Sequence, residues 1–279
     1  MSEIAGIDHA VIATRDLDRA RRQYQRLGFA PTPRGQHPSL GSINHCLMLS
    51  EGNYLELLGL ASPDAPRPYY RDFLERREGL AAIALQTDDA AAARQRLAQA
   101  GLQPTELVRF GRPVELPEGT RQAQFATTDI ALTQTPGGRV FLCQHFTRDL
   151  VWRSEYLTHP NGALGLAAIT IVVEDPTTAA VRYRQILGVE PVCQTGAASL
   201  TCGPSLLRLT TPAAFADRHR GDPVVALVPP YMAGIAIKVR DRERAAALLQ
   251  SNGVPHRQTA GGGIRIDSTE AVGAILELI

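Results

Sequence analysis

The 279-residue sequence predicts an α+β fold made of four copies of one strand–helix–three-strand (βαβββ) module. Three observations carry this expectation. Segments 7–16, 80–89, 166–175 and 232–241 are versions of one line, each an apolar strand-like run ending in Asp. Each of these residues (Asp16, Asp89, Asp175, Asp241) is followed 12 or 13 positions later by a glycine (Gly28, Gly101, Gly188, Gly253). Short apolar runs broken by Gly, Pro and polar residues then follow, the pattern of strands joined by turns.

The terminal Asp of each strand suits a helix N-cap, where its carboxylate accepts free N–H groups of the first turn. Pro176 stands at the first helical position of the third copy, where a missing N–H costs nothing. The Gly suits the left-handed residue just past a helix end. In the first helix Leu17, Ala20, Tyr24 and Leu27 share a face, with Arg19, Arg22 and Gln25 turned away. The later strands of module one are expected at 30–34, 44–49 and 54–58. The other modules should close on strands at 139–146, 205–209 and 274–279. One such unit cannot cover both faces of its sheet, so modules should pair. The modules span 1–60, 79–147, 163–211 and 232–279. Connectors 61–78, 148–162 and 212–231 are rich in Pro, Arg and aromatics, and the halves 1–150 and 160–279 should form two similar lobes.

A chain that is 44% hydrophobic and 20% charged, with formal net charge +1, has an ordinary globular balance. No basic run marks a nucleic-acid or lipid surface, and no apolar run approaches the roughly 20 residues of a membrane helix. The first residues lack the basic and apolar stretches of a signal peptide. The four cysteines (Cys46, Cys143, Cys193, Cys202) show no C-x-x-C spacing, and three sit in apolar runs that read as buried thiols. A reducing cytoplasm and a small-molecule partner are expected, with no nucleic acid and no membrane.

The repeat departs from itself at its third position. Three copies carry Ala82, Ala168 and Gly234; the first carries His9. An imidazole where the other copies keep a small residue points to chemistry.

With His in its first strand and Glu in its last, the module resembles the vicinal oxygen chelate superfamily. That superfamily includes glyoxalase I, ring-cleaving extradiol dioxygenases and antibiotic-binding resistance proteins. Gly-Ile-Asp-His-Ala-Val-Ile-Ala at 6–13, Arg-Asp-Leu-Asp at 15–18, Leu-Gly-Phe at 27–29, Arg-Gly-Gln-His-Pro at 34–38 and Tyr-Leu-Glu-Leu-Leu at 54–58 resemble its glyoxalase-like domain proteins. The resemblance implies that paired modules curl into half-open β-barrel cups with a metal at the base. It also makes the first and last strands of a module neighbours, so that His9 and Glu56 lie side by side. Alternation agrees: Tyr54, Glu56 and Leu58 share one face, and Leu55 and Leu57 the helix-packed other.

In module two the same alternation turns Phe141, Cys143 and His145 to the cup. His9, Glu56 and His145 would form a two-His, one-carboxylate set suited to Fe, Mn or Zn. His45 is a fourth candidate ligand and His37 a residue of the rim. Tyr54 belongs to the substrate side. Arg34, Arg109 and Arg112 could hold an anionic substrate by forked hydrogen bonds. Trp152 walls the pocket or packs between modules. With Ala168, Gly234 and Arg208 where ligands would stand, and only Glu277 echoing Glu56, the C-terminal lobe is expected to be metal-free.

The activity implied is a metal-dependent isomerase, lyase or dioxygenase reaction on a small oxygenated molecule. His9 and Glu56 would be catalytic, Glu56 as ligand or base. The alternative is a metal-free binding protein resembling the resistance members. Four modules suffice for both cups within one chain, so a monomer or a homodimer fits.

Overall fold

Each Asp-terminated run forms a strand leading into a helix. In the computed structural model, which describes residues 4–116 and 119–279, module one is β1 (Gly6–Ala13), α1 (Leu17–Arg26), β2 (Gly35–His37), β3 (Ser42–Met48) and β4 (Tyr54–Leu60). A connecting helix α2 (Pro68–Arg76) leads to module two: β5 (Gly79–Gln86), α3 (Ala90–Gln99), β6 (Val108–Leu116), β7 (Gly119–Asp129) and β8 (Arg139–His145). Module three is β9 (Ala163–Val172), α4 (Pro176–Leu187), β10 (Val192–Gln194), β11 (Ala197–Cys202) and β12 (Ser205–Thr210). Helix α5 (Pro212–Arg218) precedes module four: β13 (Tyr231–Val239), α6 (Arg242–Ser251), β14 (Arg257–Gln258), β15 (Ile264–Ile266) and β16 (Ile275–Leu278).

The helix ends follow the local chemistry. Asp16, Asp89, Asp175 and Asp241 each accept first-turn backbone N–H groups. Gly28 adopts φ +82°, and a Cβ there would lie 2.4 Å from Leu248 Cδ2 and 2.9 Å from Asn161 Cβ. It therefore ends α1 and also lets module four approach.

Two expectations differ from the structure. Residues 30–34 form no strand, and the pairing begins only at β2. Pro31 and Pro33 have no N–H to give a ladder. The connectors at 61–78 and 212–231 are not merely linkers: α2 and α5 start in them, each with Pro at its first position.

The strands form two eight-stranded mixed sheets, ordered β2-β3-β4-β1-β5-β8-β7-β6 and β10-β11-β12-β9-β13-β16-β15-β14. Within a module the first strand runs parallel to the last; between modules the two first strands run antiparallel. Edge strands β2 and β6 reach each other, so the first sheet curls nearly into a barrel.

The same irregularity recurs in every first strand. Ile7 pairs with Leu85 and His9 with Ala84, which leaves Asp8 as an extra residue; Val11 pairs with Ala82 and Ile12 with Leu80, which leaves Ala81. In the second sheet Ala167 and Ala233 are skipped likewise. Such a bulge re-aims side chains within a strand. Three modules place Ala at the bulge, and module one places Asp8.

The helix-covered faces of both sheets share one apolar core. Ile7, Ile12, Tyr24, Leu55, Leu57 and Leu142 belong to the same cluster as Ile169, Tyr183, Ile186, Leu249 and Leu276. The concave faces carry separate clusters, with Val11, Leu58, Phe125 and Phe141 in the first sheet and Phe215, Tyr231 and Ile275 in the second. Among the described residues, no helix is long and apolar enough to cross a membrane.

Candidate functional site

The first sheet encloses a cavity of about 300 Å³. Because β1 lies between β4 and β5, side chains from both modules meet at its wall: His9 from β1, Tyr54 and Glu56 from β4, and Phe141 and Cys143 from β8. Val140 and Leu142 turn the other way, into the shared core.

His9 is fixed from both sides. Its Nδ1 meets Asp8 Oδ2 at 2.6 Å, and its ring stacks on Tyr54 with centroids 4.4 Å apart. The Asp8 bond holds the proton on Nδ1 and leaves Nε2 facing Glu56 Oε2 at 3.6 Å. Glu56 is oriented in turn by Asn44, whose Nδ2 donates to Oε1 at 2.6 Å. Asn44 finds room because residue 35 is glycine; a Cβ there would stand 2.3 Å from Asn44 Oδ1. Burial pushes the Glu56 pKa up, but the neighbouring imidazoles of His9 and His37 and the Asn44 hydrogen bond outweigh it and hold the carboxyl below its usual value.

Asp8 is fully buried, and it joins the two modules. Its Oδ2 also meets His145 Nε2 at 3.1 Å, and Arg148 Nη1 stands 3.6 Å from Oδ1. Burial raises its pKa; the charge and hydrogen bond of His145, with those of His9, more than offset this and hold it well below the carboxylate range. Oδ1 and His145 Nδ1 are buried without a hydrogen-bond partner. Asp8, Cys143 and His145 bring ligand-type atoms within 4.8 Å of one another. Burial and the charges of Asp8 and Glu56 push the Cys143 thiol well up, and burial with the charge of Glu56 pushes Cys46 up to about 12. Both thiols are therefore neutral.

The remaining candidates separate clearly. His37 lines the cavity beside Ser42 and Phe110, and burial pushes it down to about 4, so it is a neutral imidazole. Arg112 also lines the cavity. His45 lies off it, with Nδ1 bonded to the Thr32 carbonyl at 2.7 Å. Arg34 pairs with Asp18 at 2.7 Å on the surface, and Arg109 stacks over Phe146. Trp152 does not line the cavity; it stands edge-on behind Tyr54 and His145.

Five contributors escaped sequence reasoning. Asp8 stands where the other copies keep Ala81, Ala167 and Ala233, so the repeat held the signal one position before His9. Asn44 faces Glu56 because Cys46 pairs with Glu56 across β3 and β4, a register that the sequence does not fix. Arg67, Tyr69 and Tyr70 come from the connector and the start of α2. The Nε of Arg67 is buried without a partner, and its Nη2 reaches Ser42 Oγ at 3.4 Å.

A family described as "Glyoxalase-like domain" matches residues 7–187. No curated protein matches the chain. Among solved structures, a hypothetical protein from Staphylococcus aureus aligns at TM-score 0.70 and 13% identity, covering 98% of each chain. A xylose isomerase-like TIM barrel/4-hydroxyphenylpyruvate dioxygenase fusion protein aligns at TM-score 0.63 and 18% identity, with 99% of this chain and 49% of that one covered. A triple mutant of 4-hydroxymandelate synthase from Streptomyces coelicolor aligns at 0.62 and 16%, with 99% and 92% covered. At these identities the shared property is the fold.

Proposed function

The chain belongs to the glyoxalase-like domain family, within the vicinal oxygen chelate superfamily, and on that premise we propose a metal-dependent enzyme. It acts on a small oxygenated anion in the N-terminal cup, by isomerase, lyase or dioxygenase chemistry. One observation carries this reading: a histidine anchored through Nδ1 to a fully buried aspartate turns Nε2 toward a buried carboxylate 3.6 Å away at a cavity wall.

These residues fit a divalent metal. His9 Nε2 and the Glu56 carboxylate are the proposed ligands, Asp8 is the group that sets the histidine tautomer, and Cys143 and His145 are available from module two. A bound Fe, Mn or Zn would supply Lewis acidity toward a substrate with two neighbouring oxygens, and redox capacity in the case of iron. Glu56 Oε2 accepts no hydrogen bond among the described residues, and it is the atom to take a substrate proton where Glu56 serves as the base rather than as a ligand. Arg67 and Arg112 supply positive charge for the anion, and the tyrosine and phenylalanine walls exclude water. The four unpaired cysteines fit a reducing cytoplasm, and a small molecule is the only partner this chemistry requires.

Metal analysis of protein purified without chelator or polyhistidine tag tests this. About one ion per chain is expected in wild type and a small fraction of that in His9→Ala. Absence of metal, with no uptake of Zn, Mn or Fe, would end the proposal.

One observation favours a second reading, a metal-free binding protein. Aromatics are few, yet six of the fourteen Phe and Tyr residues line this one cavity: Tyr54, Tyr69, Tyr70, Phe110, Phe125 and Phe141. A ligand that raises the melting temperature equally in wild type and His9→Ala would support it.

A further inference from the structure

The second sheet has its own cavity, of about 420 Å³, and nothing in the chemistry above uses it. Its bulges carry Ala167 and Ala233, followed by Ala168 and Gly234, so its floor holds no imidazole. The strand register shows what replaces one. Glu56 pairs with Val11 and Phe141 with Ala84; the equivalent residues here are Arg208, paired with Thr170, and Glu277, paired with Ala236. The two positions that hold a carboxylate and a phenyl ring in the first cup hold a guanidinium and a carboxylate in the second.

This charge pair is incomplete. Arg208 Nη1 stands 3.7 Å from Glu277 Oε2, beyond hydrogen-bond distance. Among the described residues neither side chain makes a hydrogen bond, although they are only 32% and 17% exposed. His219 also lines the cavity, and its buried Nδ1 has no partner. Two large apolar residues lie open at the same cavity, Val192 at 62% and Leu206 at 37% exposed, and Phe215 and Ile275 line it as well.

We propose that this second cup binds a small zwitterion with an apolar side chain, an apolar α-amino acid. Arg208 forks its carboxylate and Glu277 accepts from its ammonium. Opposite charges held side by side match a molecule that carries both on one carbon. A simple anion would leave Glu277 opposed, and a simple cation would leave Arg208 opposed. The open apolar side chains take the rest of the ligand. This site stands independently of any metal in the first cup.

Calorimetric titration of the full chain tests it with three compounds: L-phenylalanine, 3-phenylpropionate without the ammonium, and 2-phenylethylamine without the carboxylate. L-Phenylalanine is expected to bind one site, at least about tenfold more tightly than either single-charge analogue. Glu277→Gln should weaken L-phenylalanine by about tenfold and tighten 3-phenylpropionate, which no longer faces an opposed carboxylate, while Arg208→Met should abolish binding of both. Gly234→Leu is the second variant. Gly234 lines the cavity and a Cβ there meets nothing closer than 3.5 Å, so leucine should occupy the cup; binding should be lost with the melting temperature unchanged. His9→Ala should bind L-phenylalanine as wild type does. Equal affinity for L-phenylalanine and 3-phenylpropionate, loss of binding in His9→Ala, retention in Gly234→Leu, or no heat with any compound would overturn the assignment.

Discussion

Replacing Asp8 with Asn removes the charge that two imidazoles share while preserving shape. In the wild type its Oδ2 meets His9 Nδ1 at 2.6 Å and His145 Nε2 at 3.1 Å, and the side chain is wholly buried. Each buried donor left without an acceptor costs about 1–3 kcal/mol. Asp8→Ala would orphan both rings, about 2–6 kcal/mol, a large part of the roughly 5–15 kcal/mol that stabilises a domain. Asn keeps one acceptor, so Asp8→Asn should cost about 2 kcal/mol, or a melting temperature about 4–8 °C lower. Both rings meet the same oxygen, Oδ2; the uncharged amide oxygen in its place is a weaker acceptor, so the proton is held less firmly on His9 Nδ1 and Nε2 becomes a poorer ligand. Metal affinity should fall about 10–100-fold. Thermal unfolding in chelator isolates the stability change, and titration of Zn or Mn against a competing chelator reads the affinity. An Asp8→Asn protein that melts and binds metal like wild type would show that Asp8 does not hold His9.

Gly35→Ala should act on the same site from the opposite side, because the new Cβ would displace Asn44 and free Glu56; weaker metal binding with little change in melting temperature is expected in the same titration. Leu142→Ala removes a fully buried side chain from the core shared by both lobes and should destabilise by about 2–5 kcal/mol, read as a single displaced denaturant transition; two separated transitions would count against a shared core. Glu78 accepts from the Thr14 hydroxyl, the Arg15 backbone N–H and the Arg19 guanidinium, which outweigh its partial burial and hold its pKa below the usual value. Its stabilisation is therefore complete above the unfolded pKa of about 4.3 and is lost as pH falls through the folded value. The stability gap between wild type and Glu78→Gln should narrow as pH falls through and below the unfolded value of about 4.3; a gap independent of pH would disprove the link.

Local chemistry made most of the fold legible. The Asp caps, the post-helical glycines and the apolar alternation each report a backbone requirement within a few residues. The strand expected at 30–34 failed because Pro31 and Pro33 have no N–H to give to a ladder, and α2 was hidden by the prolines that start it. In the site, His9 and Glu56 were visible as breaks in a repeat and in an apolar strand. His45 shows the limit: whether β3 turns its odd or even residues to the cavity depends on its pairing with β4, which is a long-range property. Asp8 shows another limit, because strict alternation assigns it to the helix-packed face and only the bulge returns it beside His9. Arg34 was matched by type alone, and its pairing with Asp18 depends on where α1 ends up against the following loop.

The most direct measurement is anomalous diffraction at the metal edge from crystals of wild-type protein grown with Fe, Mn or Zn and without chelator. A peak within bonding distance of both His9 Nε2 and the Glu56 carboxylate is expected, with Asp8 still bonded to His9 Nδ1. A peak confined to Asp8, Cys143 and His145 away from Glu56, a peak in the second cup, or none despite metal in solution would overturn the assignment of His9 and Glu56 as ligands.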